Sequence, residues 1–298
     1  MTARPRARLR ELLGGDGLIT APGVFDGISA SLVARTGFAA AYLTGAGVAA
    51  SGFGLPDIGL LSQTEMVERA RMVTGVLGDI PLIADADTGY GAPLNVVRTV
   101  REYERAGVAA LHLEDQAFPK RCGHLPDKEL IGVEEYLGKL KAALDTRDDA
   151  DLVIIARTDA RGPLGLAAAI ERANRYAEVG ADVIFVEAPR SLAELDRIAR
   201  EVSAPLLVNL VAGGLTPDVP PERLTALGYR IAIHPGAALA AGAGAMLRAL
   251  AALRGSGADT AALVPSGPEG FFELLGLRDW AALGERYRTD DQGAPAWA

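Results

Sequence analysis

The sequence has one cysteine, three histidines and no long uninterrupted apolar run, and each scarcity excludes a class of protein. A single cysteine cannot form an intramolecular disulfide, so a disulfide-rich secreted domain is excluded and the cytoplasm is the expected compartment. The histidines, His112, His124 and His234, lack the spacing of a zinc site. The longest mainly apolar run, 238–255, is interrupted by two arginines, so no membrane span is predicted.

Positive charge is also scarce. The 298 residues carry a formal net charge of −8, with a pI of about 5.1. No cluster of lysine and arginine could follow a phosphate backbone, so a nucleic-acid partner is not expected. The first fifteen residues hold four arginines but no apolar segment behind them. They are predicted to form a short amphipathic helix rather than a signal peptide.

Eight short apolar runs are spread along the chain, each closed by glycine or a polar residue. Runs of this length and composition are typical of strands that are buried on both faces of a parallel sheet. They cover residues 18–26, 38–46, 80–87, 108–116, 152–159, 182–189, 205–211 and 229–235.

Helical patterns lie between most of these runs, and several end in a glycine just before the next strand. A strand followed by a helix, eight times over, predicts an α/β fold, a closed (β/α)8 barrel of TIM type. No G-x-G-x-x-G follows the first run, which disfavours a Rossmann fold. The predicted helices cover 62–78, 92–107, 133–147, 166–180 and 191–202.

The pattern changes after residue 255. We therefore predict a barrel with an amino-terminal helix over 1–255 and a helical extension over 256–298. The extension would start with a linker, 255–267. The segment 268–288 is predicted to form one or two amphipathic helices that pack on a neighbouring subunit or on their own barrel. The last ten residues, 289–298, are expected to be disordered.

Charged residues gather where the predicted strands end, which is where the active sites of such barrels lie. Asp85 and Asp87 are two residues apart, so their side chains share a face. Two carboxylates ~4 Å apart repel by ~4 kcal/mol at an effective dielectric of about 20, so something must offset their charge. Oxygen ligands favour Mg²⁺ or Mn²⁺, whereas the alternative is a helix cap paired with an arginine. Other strand ends supply His112, Glu114, Arg157, Asp159, Glu187 and Asn209.

A second element is the insertion 119–131, which contains the stretch KRCGH. Cationic neighbours lower the pKa of a thiol, so Cys122 is predicted to exchange a proton near neutral pH. Lys120 and His124 flank it. The prolines and glycine of the insertion suit a loop that opens and closes over a substrate. A solvent-exposed loop with an incidental thiol is the alternative.

A third element is the stretch YLTGAG, 42–47, after the second run. Its small residues Thr44, Gly45 and Ala46 let backbone N–H groups approach an anionic group such as a carboxylate. A tight turn from strand to loop would use the same residues, so this element alone leaves both possibilities open.

Together, the stretches DADTGYG (85–91), LEDQAFPKRCGH (113–124) and PLLVNLVAGGLTP (205–217) resemble the isocitrate lyase and phosphoenolpyruvate mutase superfamily over nearly the whole chain. The KRCGH loop points to the branch of 2-methylisocitrate lyase and carboxyphosphonoenolpyruvate phosphonomutase. The resemblance implies Mg²⁺-dependent C–C cleavage of a 2-hydroxy di- or tricarboxylic acid to a 2-oxo acid such as pyruvate and a second carboxylate. It also implies a homotetramer, a dimer of dimers, with carboxyl-terminal helices swapped between subunits.

The resemblance also implies roles for individual residues. Asp85 and Asp87 would hold Mg²⁺ directly or through water, with Asp57 and Glu114 in the outer shell. Cys122 would be the proton donor. A pyruvate-like carboxylate would lie in the cradle of Thr44, Gly45 and Ala46 beside Tyr42, and the other binding and catalytic positions would be Lys120, His124, Arg157, Glu187 and Asn209.

Three positions depart from the family pattern, and all three concern substrate recognition. Ala212 stands where the lyases carry glutamate, the second-strand loop reads Thr-Gly-Ala-Gly instead of Ser-Gly-Gly-Gly, and the eighth run ends in His234-Pro235 instead of Tyr-Pro. The substrate therefore stays open. Three other functions also stay open: a phosphonomutase, an oxaloacetate-type decarboxylase or hydrolase, and a barrel that binds a 2-oxo acid without catalysis.

Overall fold

The structure, a computed structural model, describes residues 3–257 and 267–288. Eight parallel strands form a closed barrel in chain order, and the last strand pairs with the first. This confirms the predicted (β/α)8 fold. The strands are β1 Ile19–Val24, β2 Ala41–Leu43, β3 Leu82–Asp85, β4 Ala110–Glu114, β5 Val153–Thr158, β6 Val183–Val186, β7 Leu206–Asn209 and β8 Tyr229–His234.

Helices alternate with the strands, and several begin at the capping residues that their sequence provides. Ser62 and Glu65 form a capping box at the fourth helix, and Asp26 and Ser29 form one at the second. Every predicted helix is present. The structure adds three short helices, over 27–35, 45–48 and 221–227, and one 20-residue helix over 237–256 that was not predicted. The helices are α1 Ala3–Gly14, α2 Gly27–Arg35, α3 Gly45–Val48, α4 Gln63–Leu77, α5 Pro93–Arg105, α6 Val133–Thr146, α7 Leu166–Val179, α8 Leu192–Glu201, α9 Pro221–Leu227, α10 Ala237–Ser256, α11 Gly267–Glu273 and α12 Leu277–Arg286, and a π-helical turn, Ala49–Phe53, follows α3.

The strands are apolar on both faces because both faces are buried. One set of their side chains packs with the helices into the main core. Another set fills the inside of the barrel, including Ile83, Ile155 and Phe185. Leu9 of α1 belongs to this inner cluster, and Arg6 donates to the Val108 carbonyl oxygen at 3.0 Å, just before β4. Helix α1 thus covers the amino-terminal mouth, which leaves the carboxyl-terminal mouth for a site.

The chain divides into two units, 1–240 and 241–298. The first unit contains the barrel. The second contains most of α10, together with α11 and α12. The predicted domain boundary after residue 255 stays a prediction. The predicted linker falls mostly outside the described residues, and the predicted disorder over 289–298 falls entirely outside them.

Among the described helices, α10 is long and apolar enough to cross a bilayer by length and composition alone. Arg248 and Arg254, the two residues that disfavour a membrane span in the sequence, both lie within this helix. None of the helix is buried within the single chain. A helix of this kind equally suits a surface that another protein chain covers.

The parallel register brings the polar strand ends to one level. Asp85 pairs with His112, and Glu114 pairs with Arg157 across the next strand boundary. Asn209 is the last residue of β7. The carboxyl-terminal mouth therefore collects the charged residues that the sequence analysis singled out.

Candidate active site

Asp85 and Asp87 lie in a tight turn at the end of β3, which is called the carboxylate turn below. The Asp87 N–H donates to Asp85 Oδ1 at 2.9 Å, and the Gly45 N–H donates to Oδ2 at 3.3 Å. Asp87 has a φ of 46°, in the left-handed region that aspartate tolerates better than most residues. The next helix has its N-cap at Ala92, so the alternative that this pair caps the helix is wrong.

Lys120, in the insertion after β4, places its ammonium group against this turn. Its Nζ lies 2.5 Å from Asp57 Oδ1 and 2.9 Å from Asp87 Oδ1. Burial alone would lower the pKa of Lys120, but the carboxylates of Asp87 and Asp57 raise it well above its ordinary value. Burial raises the pKa of Asp87 to about 6, against the opposing charge of Lys120. The ammonium group is therefore charged and offsets part of the negative charge of the turn.

Glu114 lies at the end of β4, with both carboxylate oxygens buried and without a hydrogen-bond partner. Arg157 Nε lies 3.3 Å from its Oε2. Burial raises the pKa of Glu114 well above its ordinary value, and the charge of Arg157 opposes this only in part. A buried carboxylate without hydrogen-bond donors is costly, so Glu114 requires a proton or a further cation.

Arg157 connects carboxylates across the mouth. Its guanidinium donates twice to Asp159, at 2.9 and 3.2 Å, and lies 3.2 Å from Glu187 Oε2. Its Cζ lies 5.0 Å from the centre of the Phe185 ring. Burial opposes ionisation of Asp159, but the charges of Arg157 and Lys128 dominate and lower its pKa. Arg157 is therefore a fixed, charged group of the kind that binds a carboxylate.

The charged side chains of the mouth carry more negative than positive charge, since six carboxylates face three cations. Among the described residues, no three His, Cys, Asp or Glu side chains close around one ion position. Proteins usually bind Mg²⁺ with one or two carboxylates and several waters. The aspartate pair and Glu114, whose carboxylate oxygens accept no hydrogen bond, thus fit a hard divalent cation. The carboxylates are Asp57, Asp85, Asp87, Glu114, Asp159 and Glu187, and the cations are Lys120, Lys128 and Arg157.

Tyr42 and His112 form a neutral, hydrogen-bonded pair. Tyr42 Oη lies 2.8 Å from His112 Nε2, and the two rings stack with their centres 5.8 Å apart. Burial lowers the pKa of His112 to about 4 and raises the pKa of Tyr42 well above its ordinary value. The pair can therefore orient a proton near Asp85 without adding charge to the site.

The insertion after β4 forms a closed loop, 117–130. Its two ends meet where the Ala117 N–H donates to the Glu129 carbonyl oxygen at 2.8 Å. The Gln116 amide holds the loop at two points, since it accepts from the Arg121 N–H at 2.9 Å and donates to the Arg121 carbonyl oxygen at 2.8 Å. Lys120 of the loop reaches Asp87, and the cavity beside this contact has a volume of about 10 Å³ and is lined mainly by residues 56–61. The loop therefore lies over the mouth.

Cys122 is half-buried in this loop, and its N–H donates to the Asp57 carbonyl oxygen at 3.1 Å. The prediction that cations lower its pKa is wrong. Burial and the negative charge of Asp57 raise the pKa of the thiol, because the loop turns it toward carboxylates. The thiol carries its proton at neutral pH, which suits a proton donor and not a base.

Gly123 and His124 place the loop against Glu187. A Cβ on Gly123 would lie 2.5 Å from both Arg157 Nη2 and Glu187 Cγ, so only glycine fits there. His124 Nε2 lies 3.4 Å from Glu187 Oε1 and 3.2 Å from Asn209 Nδ2. The Asn209 amide donates to Glu187 Oε2 at 3.2 Å. The structure thus brings His124, Glu187 and Asn209 together at one side of the mouth.

Thr44, Gly45 and Ala46 stand where β2 passes into α3. The Thr44 hydroxyl accepts from the Gly47 N–H at 3.2 Å, and the Gly45 N–H is bonded to Asp85. A Cβ on Gly45 would lie 2.8 Å from Asp85 Oδ2, which explains the glycine. Both groups are used within the protein, so the cradle for a substrate carboxylate stays a prediction.

Sequence reasoning gave no role to several side chains that build this site. Asp159 could have been assigned, because it stands two residues after Arg157 on the same strand face. Gln116 and Lys128 carry no sequence signal, since their roles depend on how the loop folds back. The Tyr103 hydroxyl donates to the Asp85 carbonyl oxygen at 2.8 Å from α5, which is a contact between distant parts of the chain.

A closed (β/α)8 barrel with a buried network of acids and bases at its carboxyl-terminal mouth defines a barrel enzyme. The family described as phosphoenolpyruvate phosphomutase matches residues 9–254. The chain belongs to this family, within the PEP mutase/isocitrate lyase superfamily, which confirms the resemblance seen in its sequence.

Several curated relatives are named lyases. The 2,3-dimethylmalate lyase of Eubacterium barkeri is 46% identical over 286 residues, which cover 95% of this chain and 98% of that protein. The 2-methylisocitrate lyase of Aeropyrum pernix is 47% identical over 232 residues, which cover 78% of this chain and 74% of that one. The protein is therefore an enzyme of the carbon–carbon lyase type.

Solved structures add two related activities. Oxaloacetate acetylhydrolase in complex with 3,3-difluorooxalacetate superposes with a TM-score of 0.90 at 40% identity and covers 94% of this chain and 96% of its own. Phosphonopyruvate hydrolase in complex with oxalate and Mg²⁺ superposes with a TM-score of 0.85 at 31% identity, over 95% and 99% of the two chains.

Proposed function

We propose that the protein is a Mg²⁺-dependent lyase that cleaves the C2–C3 bond of an alkyl-substituted malate, a 2-hydroxy dicarboxylic acid. The products are a 2-oxo acid such as pyruvate and a saturated monocarboxylate. The observation that carries the proposal is the half-buried Cys122, which lies in the loop over the carboxylate turn and is bonded through its N–H to the Asp57 carbonyl oxygen. A proton donor at this place suits a reaction that leaves an electron pair on carbon, as cleavage of a C–C bond does.

Asp85 and Asp87 would hold Mg²⁺ directly or through water, with Asp57 and Glu114 further out. The ion would supply positive charge beside the oxygen atoms of the 2-oxo acid unit. Arg157 would bind a substrate carboxylate and stabilise the charge that develops on it. Lys120 would have to share Asp87 with the ion.

The chemistry balances without a co-reactant. The C2 hydroxyl loses its proton, its oxygen becomes the carbonyl oxygen, and the C2–C3 electron pair moves to C3. The second carboxylate stabilises that carbanion until the Cys122 thiol gives its proton to C3. The thiolate then takes up a proton from solvent, which has received the proton that the hydroxyl lost. The raised pKa of Cys122 keeps the donor protonated between turnovers.

The residue at position 212 favours a dicarboxylate over a tricarboxylate. Lyases of the family carry glutamate there, whereas Ala212 is exposed and lies in a loop with Gly213 and Gly214. Residues 210–214 of this loop offer no charged side chain, so the carboxylate that helps those lyases to organise the distal half of the substrate is absent at this point. The similarity to a 2,3-dimethylmalate lyase over nearly the whole chain supports the same substrate class.

We also propose that the enzyme works as a homotetramer in which the helices of residues 237–288 pack on a neighbouring subunit. Along α10, Met246, Leu247 and Leu250 are 62–70% exposed in the single chain. Trp280 of α12 is 71% exposed. Exposed apolar side chains in this number on consecutive helices favour a protein interface.

The test is release of the 2-oxo acid, each with and without Mg²⁺: pyruvate from 2,3-dimethylmalate, 2-methylisocitrate and oxaloacetate, and glyoxylate from isocitrate. We expect Mg²⁺-dependent release from 2,3-dimethylmalate, with the tricarboxylates much slower. Release from oxaloacetate alone would contradict the lyase assignment and indicate a decarboxylase. If oxaloacetate instead gives oxalate and acetate, the enzyme is a hydrolase. If none is cleaved, a phosphonomutase replaces the proposal.

A further inference from the structure

We infer that Lys128 is a positioning residue that couples closure of the loop over Cys122 to the orientation of Arg157. The roles of Cys122 and Arg157 rest on the proposed function, whereas the contacts of Lys128 do not. Its side chain is 3% exposed, which is rare for a lysine outside a functional or ion-paired position.

The ammonium group of Lys128 joins the loop to the barrel. Its Nζ donates to the Gly123 carbonyl oxygen at 2.5 Å and to Asp159 Oδ1 at 2.7 Å. The first acceptor belongs to the tip of the loop, directly after Cys122. The second belongs to the end of β5. One side chain thus bonds to both parts that have to meet when the loop closes.

On the barrel side, Lys128 acts on the carboxylate that orients Arg157. Asp159 is fully buried and accepts two hydrogen bonds from the guanidinium. Its backbone N–H donates to Asp115 Oδ1 at 2.9 Å, so the carboxylate has little freedom to turn. Lys128 supplies a second positive charge to Asp159 and keeps it ionised as the acceptor for Arg157.

On the loop side, the contact between the loop and Arg157 is direct. The closest approach is at Gly123, where no room for a Cβ remains beside Arg157 Nη2. Arg157 cannot turn toward the loop while Gly123 is in place. Lys128 lies in the same loop, so a rising Gly123 must break either its own bond to Lys128 or the bond of Lys128 to Asp159. Closure of the loop and alignment of Arg157 are therefore one event, with Lys128 at the joint.

The single cysteine gives a readout that does not depend on turnover. Every thiol signal comes from Cys122, so its rate of reaction with 5,5′-dithiobis(2-nitrobenzoate) reports loop opening in the wild type and in each variant. We would compare Lys128→Met, which removes both hydrogen bonds, with Lys128→Arg, which keeps the charge. The matched control is Lys139→Met, because Lys139 is also buried and donates to the Thr88 carbonyl oxygen at 3.1 Å.

We expect the thiol of the Lys128→Met protein to react about tenfold faster or more, as the loss of a hydrogen bond to a charged group predicts. The Lys128→Arg and Lys139→Met proteins should react at close to the wild-type rate. The kcat of the Lys128→Met protein should be lower than that of the wild type. If Lys128→Met reacts no faster than Lys139→Met, Lys128 is a structural residue and the inference is overturned. If the wild-type enzyme cleaves none of the hydroxy acids, the proposed function fails. The reaction rates of the Cys122 thiol in the variants would still test whether Lys128 couples loop closure to the orientation of Arg157.

Discussion

At the scale of single residues, the direction of a pKa shift decides what a group can do. Cys122 lies in a sequence with basic neighbours, yet the folded loop turns it toward Asp57 and buries it, so its pKa is raised. A thiol of this kind donates a proton and does not accept one. The chemistry of the site therefore depends on where the backbone carries the side chain.

We predict that Cys122→Ser leaves binding of the 2-oxo acid intact and lowers kcat by about 10²–10⁴-fold, the usual contribution of a positioned proton donor. A serine hydroxyl has nearly the same size but is a far weaker acid. Calorimetric titration with pyruvate in the presence of Mg²⁺ measures binding, and steady-state rates measure turnover. A kcat close to that of the wild type would remove the proton-donor role.

Several site residues could be predicted because strand geometry places them. Asp85 and Asp87 follow from a spacing of two residues at a strand end, and Glu114, Glu187 and Asn209 follow from the same rule on neighbouring strands. The contact of Lys120 with Asp57 and Asp87 could not be predicted, since it joins parts of the chain 63 residues apart through an irregular loop.

At the scale of elements, the loop 117–130 is the least regular part of the barrel and holds most of what the sequence left open. The eight strands were predictable because each is a short apolar run bounded by polar residues. The short helices α3 and α9 were not, because their periodicity covers only one or two turns. The closed position of the loop depends on Gln116, Lys120 and Lys128, which bond to backbone and carboxylates elsewhere.

We predict that Gly123→Ala lowers kcat/KM by about 10²-fold, because the added Cβ would hold the loop away from Arg157 and misplace the proton donor by around 1 Å. The matched control is Gly132→Ala, since a Cβ there meets nothing within 4 Å. Steady-state kinetics of both variants would show the difference. Equal rates in the two variants would mean that the loop does not need this close approach to work.

At the scale of the whole molecule, the apolar side chains of α10 require an explanation other than the barrel core. The helix is long and apolar enough to cross a bilayer, yet the chain belongs to a family of barrel enzymes. A neighbouring subunit covers such a surface without placing Arg248 and Arg254 in lipid.

We predict that the protein has four times the 31.0 kDa mass of its chain by light scattering after size-exclusion chromatography. Changing both Leu247 and Leu250 to glutamate should reduce that mass, because these side chains are 70% and 63% exposed in the single chain. A monomeric wild type, or a variant of unchanged mass, would contradict the proposed interface.

The ammonium group of Lys120 has a thermodynamic consequence for the enzyme. Asp87 Oδ1 already has Lys120 as its counter-ion, and a metal ion at the same carboxylate would be a rival for it. This competition is reciprocal. The free energy by which Lys120 weakens binding of the ion to Asp87 equals the free energy by which the ion weakens the contact between Lys120 and Asp87. Lys120 belongs to the loop that carries the thiol. On the proposed assignment, the loop that carries Cys122 would therefore respond directly to the binding of an ion at Asp87.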